Sequence, residues 1–219
     1  MLKAIILDMD GVIVDSEQYW EEKEPHFLRS ILPSWNQKNQ KELTGMGLND
    51  IYNHLTMVHG LNVQKEQFMK FYHEIAFDIY TNKVNMYPSV LNFITKAKSS
   101  NLKIGVCSSS PKKWIKTVIQ RFDLSSYIEK TISSEDIQGK GKPAPDIYFR
   151  ILKELRVKSH EAIAIEDTIN GITAAKAARL YCIGFQNESN TKMDLTKSDQ
   201  IVEHFSEILN IENLSKKIL

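Results

Sequence analysis

Two cysteines in 219 residues are too few for a disulfide framework. Cys107 and Cys182 each lie in an apolar, strand-like run, where an unpaired thiol serves as a small buried hydrophobe, and such usage suits a reducing compartment. An excess of charge of either sign is also missing: 28 Lys and Arg face 27 Asp and Glu, for a net charge of +1. The lysines are scattered and form no basic stripe, so neither nucleic acid nor an anionic membrane is expected as a partner. No run of 18 apolar residues occurs, and the start lacks the basic segment, long apolar stretch and small-residue cleavage site of a signal peptide. A cytoplasmic location is the expectation. Internal repeats and low-complexity segments are absent. The loop Gln138 to Lys142 comes nearest to a glycine-rich phosphate loop and lacks its full pattern. The histidines at 26, 54, 59, 73, 160 and 204 show no metal-ligand spacing with one another and read as surface or internally satisfied residues.

What is present is ordinary globular material, 42% hydrophobic and 25% charged, enough for a sizeable core in one large domain or one domain with an insert. Ala4 to Leu7 is short, continuous and rich in β-branched residues, as expected of a strand buried on both faces of a parallel sheet. From Ser16 to about Lys83 the texture turns helical. Phe27, Leu28, Ile31 and Leu32 form one stripe, Ile51, Leu55 and Val58 a second, and Phe68, Phe71, Tyr72, Ile75 and Ile79 a third. Ser16 before Glu17 could open the first of these helices, and Pro25 predicts a kink or early break in it. Asp15 could orient the hinge of this insert or start its helix.

Beyond Tyr87-Pro88 strands and helices alternate. Strands are expected at Lys103 to Cys107, Ile128 to Ile132, Ala162 to Ile165 and Tyr181 to Phe185. Helices are expected at Ser89 to Ser99, Pro111 to Phe122, Asp146 to Leu155 and Ile169 to Ala178. Units of this length predict a doubly wound parallel sheet, whose ligands sit beyond the carboxyl ends of the strands.

Chemistry-bearing residues follow those ends. Asp8 and Asp10 leave the first strand together, two residues apart and on one side. Two unit charges ~4 Å apart at an effective dielectric of ~20 repel by about 4 kcal/mol, so a divalent cation or a shared proton must offset them, unless Asp-x-Asp-Gly is only a polar turn. Ser108-Ser109-Ser110-Pro111 places hydroxyls and free amides at a helix start, with Pro111 suited to its first position; this is a phosphate cradle or simply a helix start. Lys142 lies in Gly141-Lys142-Pro143-Ala144-Pro145-Asp146, where two prolines stiffen the loop and could aim one ammonium. Glu166 and Asp167 end the Ala162-to-Ile165 strand as metal ligands or as caps of the next helix.

In this order and spacing, Asp8-Met9-Asp10-Gly11-Val12, Ser108, Lys142 and Glu166-Asp167 resemble the four signature motifs of the haloacid dehalogenase superfamily. The resemblance covers essentially the whole chain. It implies a Rossmann-like core over residues 1–15 and 83–219 and an inserted all-helical cap over 16–82. It also implies roles. Asp8 attacks the phosphorus of a phosphate monoester, and Asp10 protonates the leaving oxygen and then activates water. Mg²⁺ is held by Asp8, Asp167 and the main-chain carbonyl of Asp10, with Glu166 bound directly or in support. Ser108, Ser109 and Lys142 bind the transferring phosphoryl group. The second aspartate, Asp10, favours phosphorus over carbon chemistry, because an alkoxide leaving group needs a proton.

Met9 to Glu17, the Ser-Ser-Ser-Pro junction and Lys-Pro-Ala-Pro-Asp look like the branch that holds β-phosphoglucomutase and small sugar-phosphate phosphatases. The mutases carry a histidine where this chain has Trp20, an arginine where it has Leu48 and a lysine where it has Pro111. The resemblance is therefore closer to phosphatases of hexose, deoxyhexose or hexitol phosphates, with a phosphohexomutase as the alternative and a non-catalytic phosphosugar-binding protein behind it. Trp20 and the loop Thr44 to Asn49 are candidate substrate contacts or cap packing. A monomer with a small phosphorylated sugar as its partner is expected.

Overall fold

The fold is described from a computed structural model, over residues 1–138 and 140–217. Gly139, in the loop singled out above, lies outside the described residues. Six parallel strands, β1 (Ala4–Leu7), β2 (Lys103–Ser108), β3 (Ile128–Ser133), β4 (Ala162–Glu166), β5 (Tyr181–Phe185) and β6 (Gln200–Val202), form one sheet in the order β3-β2-β1-β4-β5-β6. β1 is fully enclosed: Ile5 and Leu7 join the apolar cluster on one face, Ala4 and Ile6 that on the other. Strand alternation alone produces this split.

Helices α5 (Val90–Ser99) and α6 (Lys112–Arg121) send Phe93, Ile94, Ile115 and Val118 onto the first face. Helices α7 (Asp146–Leu155) and α8 (Ile169–Ala177) cover the second with Ile147, Ile151, Ala174 and Ala175. Each buried Ile or Leu contributes about 1.5–3 kcal/mol, so both layers hold the sheet from strand to strand. Pro111 stands one residue ahead of its expected place, as the cap before α6. Strand β6 was not foreseen, because three edge residues carry too short a pattern.

Between β1 and β2 the chain makes an all-helical excursion: α1 (Glu17–Ile31), α2 (Gln37–Gln40), α3 (Leu48–His59), α4 (Lys65–Asp78) and a π-helical turn Ile79–Lys83. Of the kink or early break expected at Pro25, the break does not occur: α1 runs on through it. A proline inside a helix costs about 3 kcal/mol, but buried Glu24, Phe27 and Leu28 anchor α1 on both sides of it, and that packing outweighs the lost backbone bond. The excursion leaves and rejoins the sheet at one place. Asp15 Oδ1 accepts from the Asn85 amide (2.6 Å), the Asp15 amide donates to the Asn85 carbonyl (3.1 Å), and Val14 bridges Met86. Asp15 is therefore a clasp across both crossings, and Gln18 Nε2 also donates to its Oδ2 (3.0 Å). Among the described residues no helix is long and apolar enough to cross a membrane.

Candidate active site

Leu7 pairs with Val106 of β2 on one side and Ile165 of β4 on the other, so the residues just past those strands arrive at one level. Asp8, Ser108, Glu166 and Asp167 converge there, and all four are buried. Lys142 joins them from the loop before α7. Its Nζ donates to Asp8 Oδ1 (2.6 Å) and to the Cys107 carbonyl (3.3 Å) and pairs with Glu166 Oε1 (2.6 Å). One ammonium thus faces several carboxylates. Burial pulls the Lys142 charge down, but Asp8 and Glu166 outweigh it and hold the group above its ordinary range.

Oxygens of Asp8, Glu166 and Asp167 lie within 4.8 Å of one another. Burial pushes the Asp8 carboxyl up to about 8, with Lys142 opposing and Glu166 and Asp10 adding to the rise. Asp167 is raised as well, first by burial and then by Asp8. Glu166 Oε2 and Asp167 Oδ1 are buried without a hydrogen-bond partner. Buried orphaned carboxylate oxygens are costly, and a hard divalent cation is the group that satisfies them, so the donor set fits Mg²⁺. Two glycines let the cluster form. Gly11 (φ +72°) has no Cβ to overlap Asp167 Oδ2, and a Cβ on Gly171 would overlap the Glu166 carboxylate.

Asp10 stands apart from that cluster. Ser16 Oγ (2.7 Å) and Tyr80 OH (2.5 Å) donate to its Oδ1, and Ser110 Oγ (2.6 Å) and, at longer range, Ser108 Oγ (3.4 Å) donate to its Oδ2. Its side chain is thus turned to hydroxyls. Ser16 makes no side-chain cap on α1, because its hydroxyl goes to Asp10. Ser109, expected on phosphate, lines the cavity while its hydroxyl donates to the Gly45 carbonyl (3.2 Å), and the hydroxyl of Ser110 turns to Asp10.

Trp20 packs within the insert and also reaches the cavity. It lines the cavity, stacks with Trp114 (5.2 Å between ring centroids) and Tyr72 (5.9 Å), and donates from Nε1 to Tyr80 OH (3.1 Å). The loop Thr44 to Asn49 docks on the core, where the Thr44 carbonyl accepts from Asn170 Nδ2 (3.1 Å).

Several residues escaped the sequence reading. Tyr80 lies in the π-helical turn, a deformation common at functional sites, and Arg121 Nη1 holds its carbonyl (3.0 Å). Asn187 and Asn190 follow β5: Asn187 Nδ2 donates to the Gly11 carbonyl (2.8 Å) and Asp167 Oδ2 (3.3 Å), and Asn190 Nδ2 to the Asp167 carbonyl (2.8 Å). The strand-end rule that found the other residues also reaches these two. Glu24 is buried in the insert, with Tyr72 OH (2.7 Å) and Gln40 Nε2 donating to it; burial holds its carboxyl above the ordinary range, against both hydrogen bonds.

Core and insert together enclose a cavity of about 600 Å³, lined by Asp8, Asp10, Ser108, Lys142 and Asp167 on one side and by Trp20, Glu24, Met46 and Tyr72 on the other. The family model for haloacid dehalogenase-like hydrolases matches residues 5–185. A phosphorylated carbohydrates phosphatase of Thermotoga maritima is 24% identical over 95% of this chain and 100% of its own length. Hexitol phosphatase B of Escherichia coli is 26% identical over 82% of each chain. The crystal structure of a β-phosphoglucomutase from Clostridium difficile has a TM-score of 0.80 at 23% identity, covering 100% of this chain and 97% of that one, a likeness of fold.

Proposed function

The chain belongs to the haloacid dehalogenase-like hydrolases, and within that family we propose that it is a Mg²⁺-dependent phosphomonoesterase for a hexose, deoxyhexose or hexitol phosphate. The observation that carries this reading is the separation of two carboxylates on one loop. Asp8 faces an ammonium and two further carboxylates, whereas Asp10 faces hydroxyls. Such a pair suits a nucleophile beside a proton carrier. The relatives named for phosphorylated carbohydrates and hexitols support the substrate class.

Residues 1–15 and 83–219 serve as the catalytic core, and 16–82 as a cap. Asp8, Asp167 and the main-chain carbonyl of Asp10 would hold Mg²⁺, with Glu166 in support through Lys142 and Tyr148, whose OH donates to Glu166 Oε1. Bound there, the ion would neutralise the phosphate dianion among the acids. Asp8 attacks phosphorus as Asp10 gives its proton to the leaving sugar oxygen. Asp10 then takes a proton from the water that attacks the aspartyl phosphate, which releases phosphate and restores Asp8. Lys142 and Ser108 hold the phosphoryl oxygens during both transfers; Lys142 must then share the ammonium that now bonds Asp8.

A mutase reading has one observation in its favour. Arg29 and Lys41 line the insert side of the cavity as exposed cations that a second phosphate could reach. The loop Thr44 to Asn49, which docks against Ser109 and Asn170, carries no charge, and this favours release to water. The test is a panel of sugar phosphates assayed for released phosphate, with and without chelator, beside a coupled assay for conversion of β-glucose 1-phosphate to glucose 6-phosphate with bisphosphate primer. Phosphate release that needs Mg²⁺ and exceeds isomerisation is expected. Isomerisation well above release makes the enzyme a mutase, and full activity in excess chelator ends the metal assignment.

A further inference from the structure

The surface of the insert gathers three groups that the sequence keeps apart and that share no ligand atom with the carboxylate cluster. His54 Nε2 lies 2.9 Å and His59 Nε2 3.0 Å from the same oxygen, Oε2 of Glu42. The two histidines are five residues apart, about 140° around an ideal helix, so a spacing rule misses them. His59 ends α3, and Gly60 (φ 66°) turns the chain away there, which leaves that ring room to meet His54. Their ring centroids are 5.5 Å apart. Glu42 comes from the short turn Lys41–Leu43, just ahead of the docked loop Thr44 to Gly47. The site is part open: the side chains of His54, His59 and Glu42 are 23%, 17% and 36% exposed.

Two imidazole nitrogens and one carboxylate oxygen are the donor set of zinc-class ions, and Mg²⁺ disfavours such nitrogen donors. Bonds of ~2.0–2.1 Å in a tetrahedron put ligand atoms about 3.3–3.4 Å apart, so each histidine needs to draw back from Glu42 by only a few tenths of an ångström, and the three donor atoms already lie within 4.8 Å of one another. We propose that Glu42, His54 and His59 form a second metal site, for a divalent transition metal of the zinc class, with its open position toward solvent. The ion would join the turn before the docked loop to the end of α3 and so stiffen the insert wall of the cavity. His59 also packs edge-on against the buried Trp35 ring (5.0 Å), which places an optical reporter beside the site.

The test titrates Zn²⁺ by calorimetry into the full chain in excess Mg²⁺, which occupies oxygen-only sites. One Zn²⁺ per chain is expected, weakened more than about tenfold in His54→Asn and in His59→Asn, with Mg²⁺-dependent turnover retained as proof of folding. Co²⁺ in the unaltered protein should give the intense visible bands of a four- or five-coordinate site and quench tryptophan fluorescence. This reading needs no variant to fold. No Zn²⁺ binding overturns the proposal. So does Zn²⁺ binding that survives both histidine variants but is lost in Asp167→Asn, or a Co²⁺ spectrum with only weak octahedral bands.

Discussion

The two walls of the cavity are built from opposite materials. The core wall is charged and tightly cross-bonded: three carboxylates and an ammonium, all buried, with Lys142 bonded to Asp8, Glu166 and a carbonyl. The insert wall carries Trp20, stacked on Tyr72 of the insert and on Trp114 of the core, with one buried acid, Glu24, and the exposed cations Arg29 and Lys41. Charge placed where a phosphoryl group changes hands must be held rigidly, because misplacement directly raises the barrier. Rings beside a buried carboxyl suit the neutral, hydroxylated part of a substrate, whose fit decides which sugar phosphate is accepted.

The largest expected effect breaks the core wall at its centre. Asp8→Asn should lower turnover on the order of 10⁴-fold or more and leave no acid-stable phosphoenzyme. Asp10→Asn should leave attack on a substrate with a good leaving group possible but slow hydrolysis by roughly 10²–10⁴-fold, so that the phosphoenzyme accumulates. Quenched-flow trapping with labelled substrate checks both, and label on any other residue refutes the assignment.

A pH experiment sharpens the comparison next. In metal-free protein the Asp8 carboxyl is raised from 3.8 to about 8, so the folded state holds a proton that the unfolded state releases. That contribution to stability is complete below the unfolded value, near 4, and is lost as pH rises through about 8. Metal-free thermal midpoints should therefore fall between those limits, and Mg²⁺ should restore stability most at the alkaline end. A metal-free profile that rises with pH there contradicts the picture of a wall short of cations.

The smallest effect is expected on the insert. Glu24→Gln removes a carboxylate acceptor from Gln40 and alters hydrogen bonds worth about 1 kcal/mol each. It should reorder preference among sugar phosphates by a few fold through KM, with phosphoenzyme formation unchanged. An equal loss of kcat on every substrate would place Glu24 in the chemistry and erase the contrast.

Legibility in the sequence follows the same division. Asp8, Lys142, Glu166 and Asp167 each follow a strand or precede a helix, and the sheet needs only its parallel register to bring them together. β1, β2, β4 and β5 were readable because their burial makes largely apolar runs, whereas β3 exposes Glu129, Lys130 and Thr131 and carries no such run. Tyr80, Ser16 and Glu24 were not, since their placement depends on how the helices of the insert pack and no local pattern encodes that. Pro25 shows the reverse limit: a local rule allows a break there, and α1 runs on through it, held by Phe27 and Leu28. Ser109 and Ser110 illustrate the limit within a motif, for a run of three hydroxyls does not say which one the turn aims inward.

Asp15 and Asn85 stand 70 residues apart in the chain and 2.6 Å apart in space. Everything between them is a closed ring whose two ends meet in that clasp, and every strand of the sheet lies outside it. Such a ring can be swapped for another of different length and lining without disturbing the register of β1, provided the clasp is kept. Grafting residues 16–84 from a relative of different preference should therefore carry that preference with it, and inheritance by exchange of whole loops becomes a route by which one phosphoryl-transfer core comes to serve many sugars.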